Sequence, residues 1–132
     1  GGMMHPSFRI ARLLEAHKVD TVVKGKCASG CLILFLGGKR RIVAHGARLG
    51  VHPPQFASGR VADDQLNAPA RASLVSSAEK LRAFYRAQGV SERFISKIDR
   101  QGAQGMWYPS LQELLRYGVA THVLEELPAK DR

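Results

Sequence analysis

The chain has 132 residues and a formal net charge of +9, from 20 Lys and Arg against 11 Asp and Glu. That length carries one domain with a buried core, and 45% hydrophobic against 23% charged residues is the balance of a folded chain, which excludes a disordered one. The positive charge is dispersed, densest at Lys39-Arg40-Arg41, and the one Trp, three Tyr and five Phe do not interleave with it as base stacking would require, so no specific nucleic-acid partner is expected.

Gly1-Gly2 opens the chain in place of a methionine, which implies either missing upstream residues or a cloning remnant. Ser7 to His17 reads as an amphipathic helix with Ile10, Leu13, Leu14 and His17 on one face, and Val19 to Val23 as a short strand. Cys27-Ala28-Ser29-Gly30-Cys31 then forms a junction between strand and helix. Small residues flank a serine there, at the positive end of the helix, with nothing bulky to keep a carbonyl from its hydroxyl. The helix, Ser29 to Leu36, is buried and closed by Gly37-Gly38; its apolar run from Cys31 to Leu36 is far short of the roughly 18 residues a membrane span needs. Ser29 as a simple helix N-cap is the competing reading of that residue.

Arg41 to Ala44 and Ala47 to His52 read as strands joined by a His45-Gly46 turn, and as neighbours in one sheet. His52 ends the second strand before Pro53-Pro54, at the edge where α/β sheets carry their sites, so Ser29 and His52 suggest a hydrolytic pair. Residues 53–69 have no periodicity and read as a loop. Ala70 to Gln88 is a long helix with Leu74, Ala78, Leu81 and Tyr85 inward, ended by Gly89. Ser91 caps a second helix to about Asp99, with Phe94, Ile95 and Ile98 inward, and Gly102 to Gly105 is a break. Ser110 and Glu113 make a capping box, and Val119 to Leu124 is a last strand. The alternation of strands and helices predicts an α/β fold with a mostly parallel sheet flanked by helices.

Cys27 and Cys31 have no further Cys or His near them for zinc, and three residues separate them where a redox pair has two. On one regular helix they would lie a turn apart, in poor disulfide geometry, so two reduced side chains beside Ser29 are expected ahead of a disulfide. His5, His17, His45 and His122 are scattered and form no metal spacing.

The order of these motifs resembles the Clp protease/crotonase superfamily: Gly1-Gly2, a helix, a strand, the junction around Ser29 opening an apolar helix, Gly50-Val51-His52-Pro53, and Leu115 to Val123 at the close. The resemblance covers nearly the whole chain. Cys27 to Cys31 with Phe35, Gly38 and Arg41, then Gly50 and His52, look like a branch of bacterial periplasmic or membrane-associated proteins within that superfamily. It implies a ClpP/crotonase-like fold without the family's opening strands. It further implies Ser29 as nucleophile, His52 as general base, the backbone N–H groups of Gly2 and Gly30 as an oxyanion hole, and Asp99 as third member of a triad. Asp63 or Asp64 is the alternative third member. No metal or organic cofactor is implied. The partners it implies are a polypeptide substrate and further copies of the chain, with membrane association through a preceding segment.

The resemblance further implies a groove in which a peptide lies extended, and Val51, Pro53 and Phe56 are the residues expected to line it. Lys80, on the long helix, is a candidate for a serine–lysine dyad and reads rather as a solvated residue. The expected function is therefore serine peptidase. The competing readings are a non-catalytic binding or assembly module that keeps the fold, and a crotonase-like acyl-CoA enzyme.

Overall fold

The computed structural model describes residues 4–53, 67–101 and 105–125. Helix α1 (Met4–Ala16) turns Met4, Ser7, Phe8, Ala11 and Leu14 inward, at the three- and four-residue spacing of one helical face. The expected face is thereby corrected, for Ile10 and Leu13 are 44% and 59% exposed and His17 is exposed too. Close approach decides the rotation. Ala11 lies so near α2 (Gly30–Leu36) that a Cβ on Gly37 would come within 2.6 Å of the Ala11 carbonyl oxygen, and only small residues permit that contact.

Strand β1 (Thr21–Val23) pairs in parallel with β3 (Arg41–Ala44), and β3 pairs in parallel with β5 (His122–Leu124). Strand β2 (Lys26–Ala28), a strand not anticipated from the sequence, pairs in parallel with β4 (Arg48–Gly50). The sheet is thus parallel as expected, but β3 and β4 are not neighbours. Both edges of β3 are taken, by β1 and β5, and the turn at Gly46 (φ 81°) sends β4 across to β2.

Helix α3 (Ala68–Ala87) starts at Asn67, whose side chain accepts from the Ala70 N–H, and stops at Gly89 (φ 84°). Helix α4 (Glu92–Gln101) buries Phe94, Ile95 and Ile98, as its periodicity predicts. Helix α5 (Leu111–Arg116) carries the Ser110/Glu113 capping box. At the centre, Phe94 is fully buried between the rings of Tyr85, Trp107 and Tyr117.

Arg41 is only 8% exposed. Its guanidinium donates to the carbonyls of Val119 (2.8 Å), Gly118 (2.7 Å) and Gln88 (3.2 Å), so the ends of α3 and α5 are tied to β3. Burial pulls its pKa below the usual arginine value. Its neighbour Arg40 is engaged by Asp20 through two side-chain hydrogen bonds. Among the described residues no helix is long and apolar enough to cross a membrane.

Candidate active site

Two parallel strands set the site. The register pairs Ala28 with Gly50, so Ser29, next after Ala28, and His52, two residues after Gly50, leave the same end of the β2–β4 ribbon. The Ser29 N–H continues the ladder by donating to the Gly50 carbonyl at 3.1 Å. The chain then bends sharply into α2, with Ser29 at φ 59° and ψ −122°. A residue with a Cβ pays roughly 1–3 kcal/mol for such a conformation. The bend raises the hydroxyl clear of the helix, and the Ser29 side chain makes no capping hydrogen bond to α2. Ser29 is thus the N-cap of α2 by position, but its side chain does not do a cap's work.

The hydroxyl meets His52 instead, with Oγ 3.0 Å from Nε2. The other ring nitrogen, Nδ1, lies 2.6 Å from the Pro53 carbonyl oxygen. A carbonyl only accepts, so the hydrogen-bond pattern assigns the proton to Nδ1 and leaves the Nε2 lone pair facing the serine O–H. The preceding residue, Val51, is fixed by an antiparallel bridge to Trp107, whose two backbone hydrogen bonds are each 2.8 Å. His52 thus emerges from a clamped backbone.

A narrow cavity of about 50 Å³ opens beside the pair, walled by Met4, Ile33, Val51, Leu81 and Tyr85, with Gly30 at its rim. Burial raises the Tyr85 phenol well above its ordinary pKa and keeps it neutral. Leu81 and Tyr85 were legible as the inward stripe of α3, yet periodicity gave no sign that this stripe ends under the serine. Met4 and Ile33 carried no signal for the site at all.

Cys27 and Cys31 form a disulfide, which corrects the expectation of two reduced side chains. The expectation assumed one regular helix. Cys27 in fact lies in β2 and Cys31 in the first turn of α2, and the bend at Ser29 brings their Cα atoms to 5.3 Å, within ordinary disulfide range.

Asp99 does not reach the imidazole. It sits half exposed on α4 and accepts from Arg82 at 3.0 Å, while the orienting position at His52 is filled by the Pro53 carbonyl. Pro53 thus meets the site through its backbone, and Val51 through a side chain that is 2% exposed. Gly2, Phe56, Asp63 and Asp64 lie outside the described residues. Lys80 is exposed and lines a separate groove with Arg9 and Arg12. Among the described residues no group of three or more His, Cys, Asp and Glu stands together as metal ligands would.

No known family profile and no curated protein matches the sequence. Solved structures do match the fold. Superposition on a point mutant of ClpP1 from Listeria monocytogenes gives a TM-score of 0.73 at 19% identity, over 96% of this chain and 69% of that one. The chain has the Clp-protease fold, an α/β arrangement of parallel strands flanked by helices.

Proposed function

We propose that this chain is a serine hydrolase that cleaves polypeptides. The observation that carries the reading is the 3.0 Å contact between Ser29 Oγ and His52 Nε2, made by a serine on a strained bend between strand and helix. Ser29 attacks the scissile carbonyl as its proton passes to Nε2, and the imidazolium then protonates the leaving amine. Water deacylates the enzyme by the same route in reverse. General acid–base catalysis of this kind contributes about 10²–10⁴-fold.

The Gly30 N–H, at the start of α2 where helical N–H groups have no acceptor within the helix, donates to the oxyanion. The Pro53 carbonyl does the orienting work of a triad's acid: it holds the ring and its tautomer, but answers the imidazolium with a dipole instead of a full charge. The apolar walls of the narrow cavity suit a small apolar side chain next to the cleaved bond. Likeness to ClpP1 supports the polypeptide substrate and a homo-oligomeric assembly as parts of the same proposal. The disulfide supports an oxidising compartment, in keeping with a periplasmic or membrane-associated setting.

Labelling with a fluorophosphonate probe tests the reading. The expected result is covalent labelling of the wild-type chain that is lost in both Ser29→Ala and His52→Ala. A folded wild-type protein that takes up no probe would overturn it.

A further inference from the structure

The Cys27–Cys31 bridge closes a five-residue ring with Ser29 at its middle. One sulfur belongs to the last turn of strand before the bend and the other to the first turn of helix after it, so the bridge spans the bend that presents the hydroxyl. Hydrogen bonds hold the bend on each side, with the Ser29 N–H donating to the Gly50 carbonyl at 3.1 Å and the Leu32 N–H donating to the Ser29 carbonyl at 3.0 Å. The Ser29 side chain meets His52 and caps nothing, and the bridge is the covalent link between the two sides. The elements on either side are held independently, β2 by its pairing with β4, and α2 by the burial of Leu32, Phe35 and Leu36.

From this arrangement we propose that the disulfide is the positioning device of the nucleophile, so that a dithiol reductant switches the hydrolase off and reoxidation restores it. The inference rests on the serine-hydrolase reading and adds its regulation. Access is one-sided: Cys27 is 2% exposed, whereas Cys31 is half-buried and open to attack. A dithiol thiolate attacks Cys31 Sγ, the S–S bond breaks, and Cys27 leaves as a thiolate that takes up a proton. The second thiol of the reductant then attacks the mixed disulfide and releases Cys31 as a thiol. Two electrons and two protons pass to the protein, and the reductant ends as its own disulfide. Freed of the ring, Ser29 relaxes out of its left-handed backbone conformation and its Oγ leaves the 3.0 Å contact with Nε2. A displacement on the order of 1 Å at a reacting atom costs about 100-fold in rate.

The test follows fluorophosphonate labelling of the wild-type chain before and after dithiothreitol, with maximal rate and half-saturating probe concentration read separately and circular dichroism recorded alongside. The expected result is a fall of about 10- to 100-fold in maximal rate with half-saturation and dichroism little changed, reversed by oxidised glutathione. Cys31→Ser should sit at the reduced rate and ignore dithiothreitol. Equal labelling of both forms would overturn the inference and leave the hydrolase reading standing. Loss of dichroism together with labelling would also overturn it, making the bridge a general staple. No labelling of the oxidised, folded chain would overturn the hydrolase reading and the inference with it.

Discussion

Substituting Ser29 by glycine and, separately, by alanine isolates the strain stored beneath the hydroxyl. Both changes remove Oγ and with it the contact to His52, so that loss cancels in the comparison. What differs is the Cβ, which alanine keeps in a backbone at φ 59° and ψ −122° and glycine lacks. Relief of the strain favours glycine by roughly 1–3 kcal/mol. The greater freedom of glycine in the unfolded chain opposes this by about 0.5–1 kcal/mol. The difference leaves the Ser29→Gly variant more stable than Ser29→Ala by about 1 kcal/mol, the reverse of the usual order at an ordinary site. Urea denaturation gives this directly as a shift in midpoint at constant slope. For a domain of this size it also appears as a gap of about 4 °C in melting temperature. An alanine variant as stable as the glycine one, or more so, would refute the argument that the bend is strained.

Replacing Arg41 by methionine leaves three carbonyls without their charged donor, and a loss of about 3 kcal/mol in urea denaturation is expected after partial rehydration; a loss under 1 kcal/mol would show that water replaces the guanidinium. Asp99→Asn should change the fluorophosphonate labelling rate by less than about twofold, since Asp99 serves Arg82, and a loss near the 10⁴-fold seen when a triad acid is disabled would return it to the catalytic site. The backbone N–H of Ser110, then Lys97, hold the Glu113 carboxyl below its ordinary pKa. A depressed carboxylate stabilises the fold above its unfolded pKa and loses that contribution as pH falls through the folded value. The stability gap between wild type and Glu113→Gln should therefore be full at neutral pH and close in acid; a gap independent of pH would refute the assignment.

The pattern of inward residues on α3 and α4 and the capping box at Ser110 were readable because local spacing and chemistry decide them. The face of α1 was not, since its rotation follows from a contact between Ala11 and Gly37 that are distant in sequence. Strand pairing was misread for the same reason: both edges of β3 are claimed by strands far away, one of them at the other end of the chain. At the site, Ser29 and His52 announced themselves by small neighbours and a strand end, and the structure brings them together. The group that orients His52 is a main-chain carbonyl, which has no side-chain signature for a sequence to display. Asp99 illustrates the converse, a residue of the right type whose charge is spent on a neighbouring helix.

Arg41 alters what the basic character of the chain means for its surroundings. The densest run of cations, Lys39-Arg40-Arg41, looks in sequence like a beacon for polyanions. In the fold one of the three is turned inside and faces the negative ends of two helices, and a second is neutralised at contact range by Asp20. Among the described residues, Lys39 is the member of that run that is neither buried nor in a salt bridge, although it too lies close enough to Asp20 to help hold its carboxyl ionised. The formal charge of +9 already counts Asp20 against the cations, so what the fold changes is placement: the run of sequence richest in cations is not a matching concentration of free charge on the surface, and a polyanion would find less of a focus there than the sequence suggests.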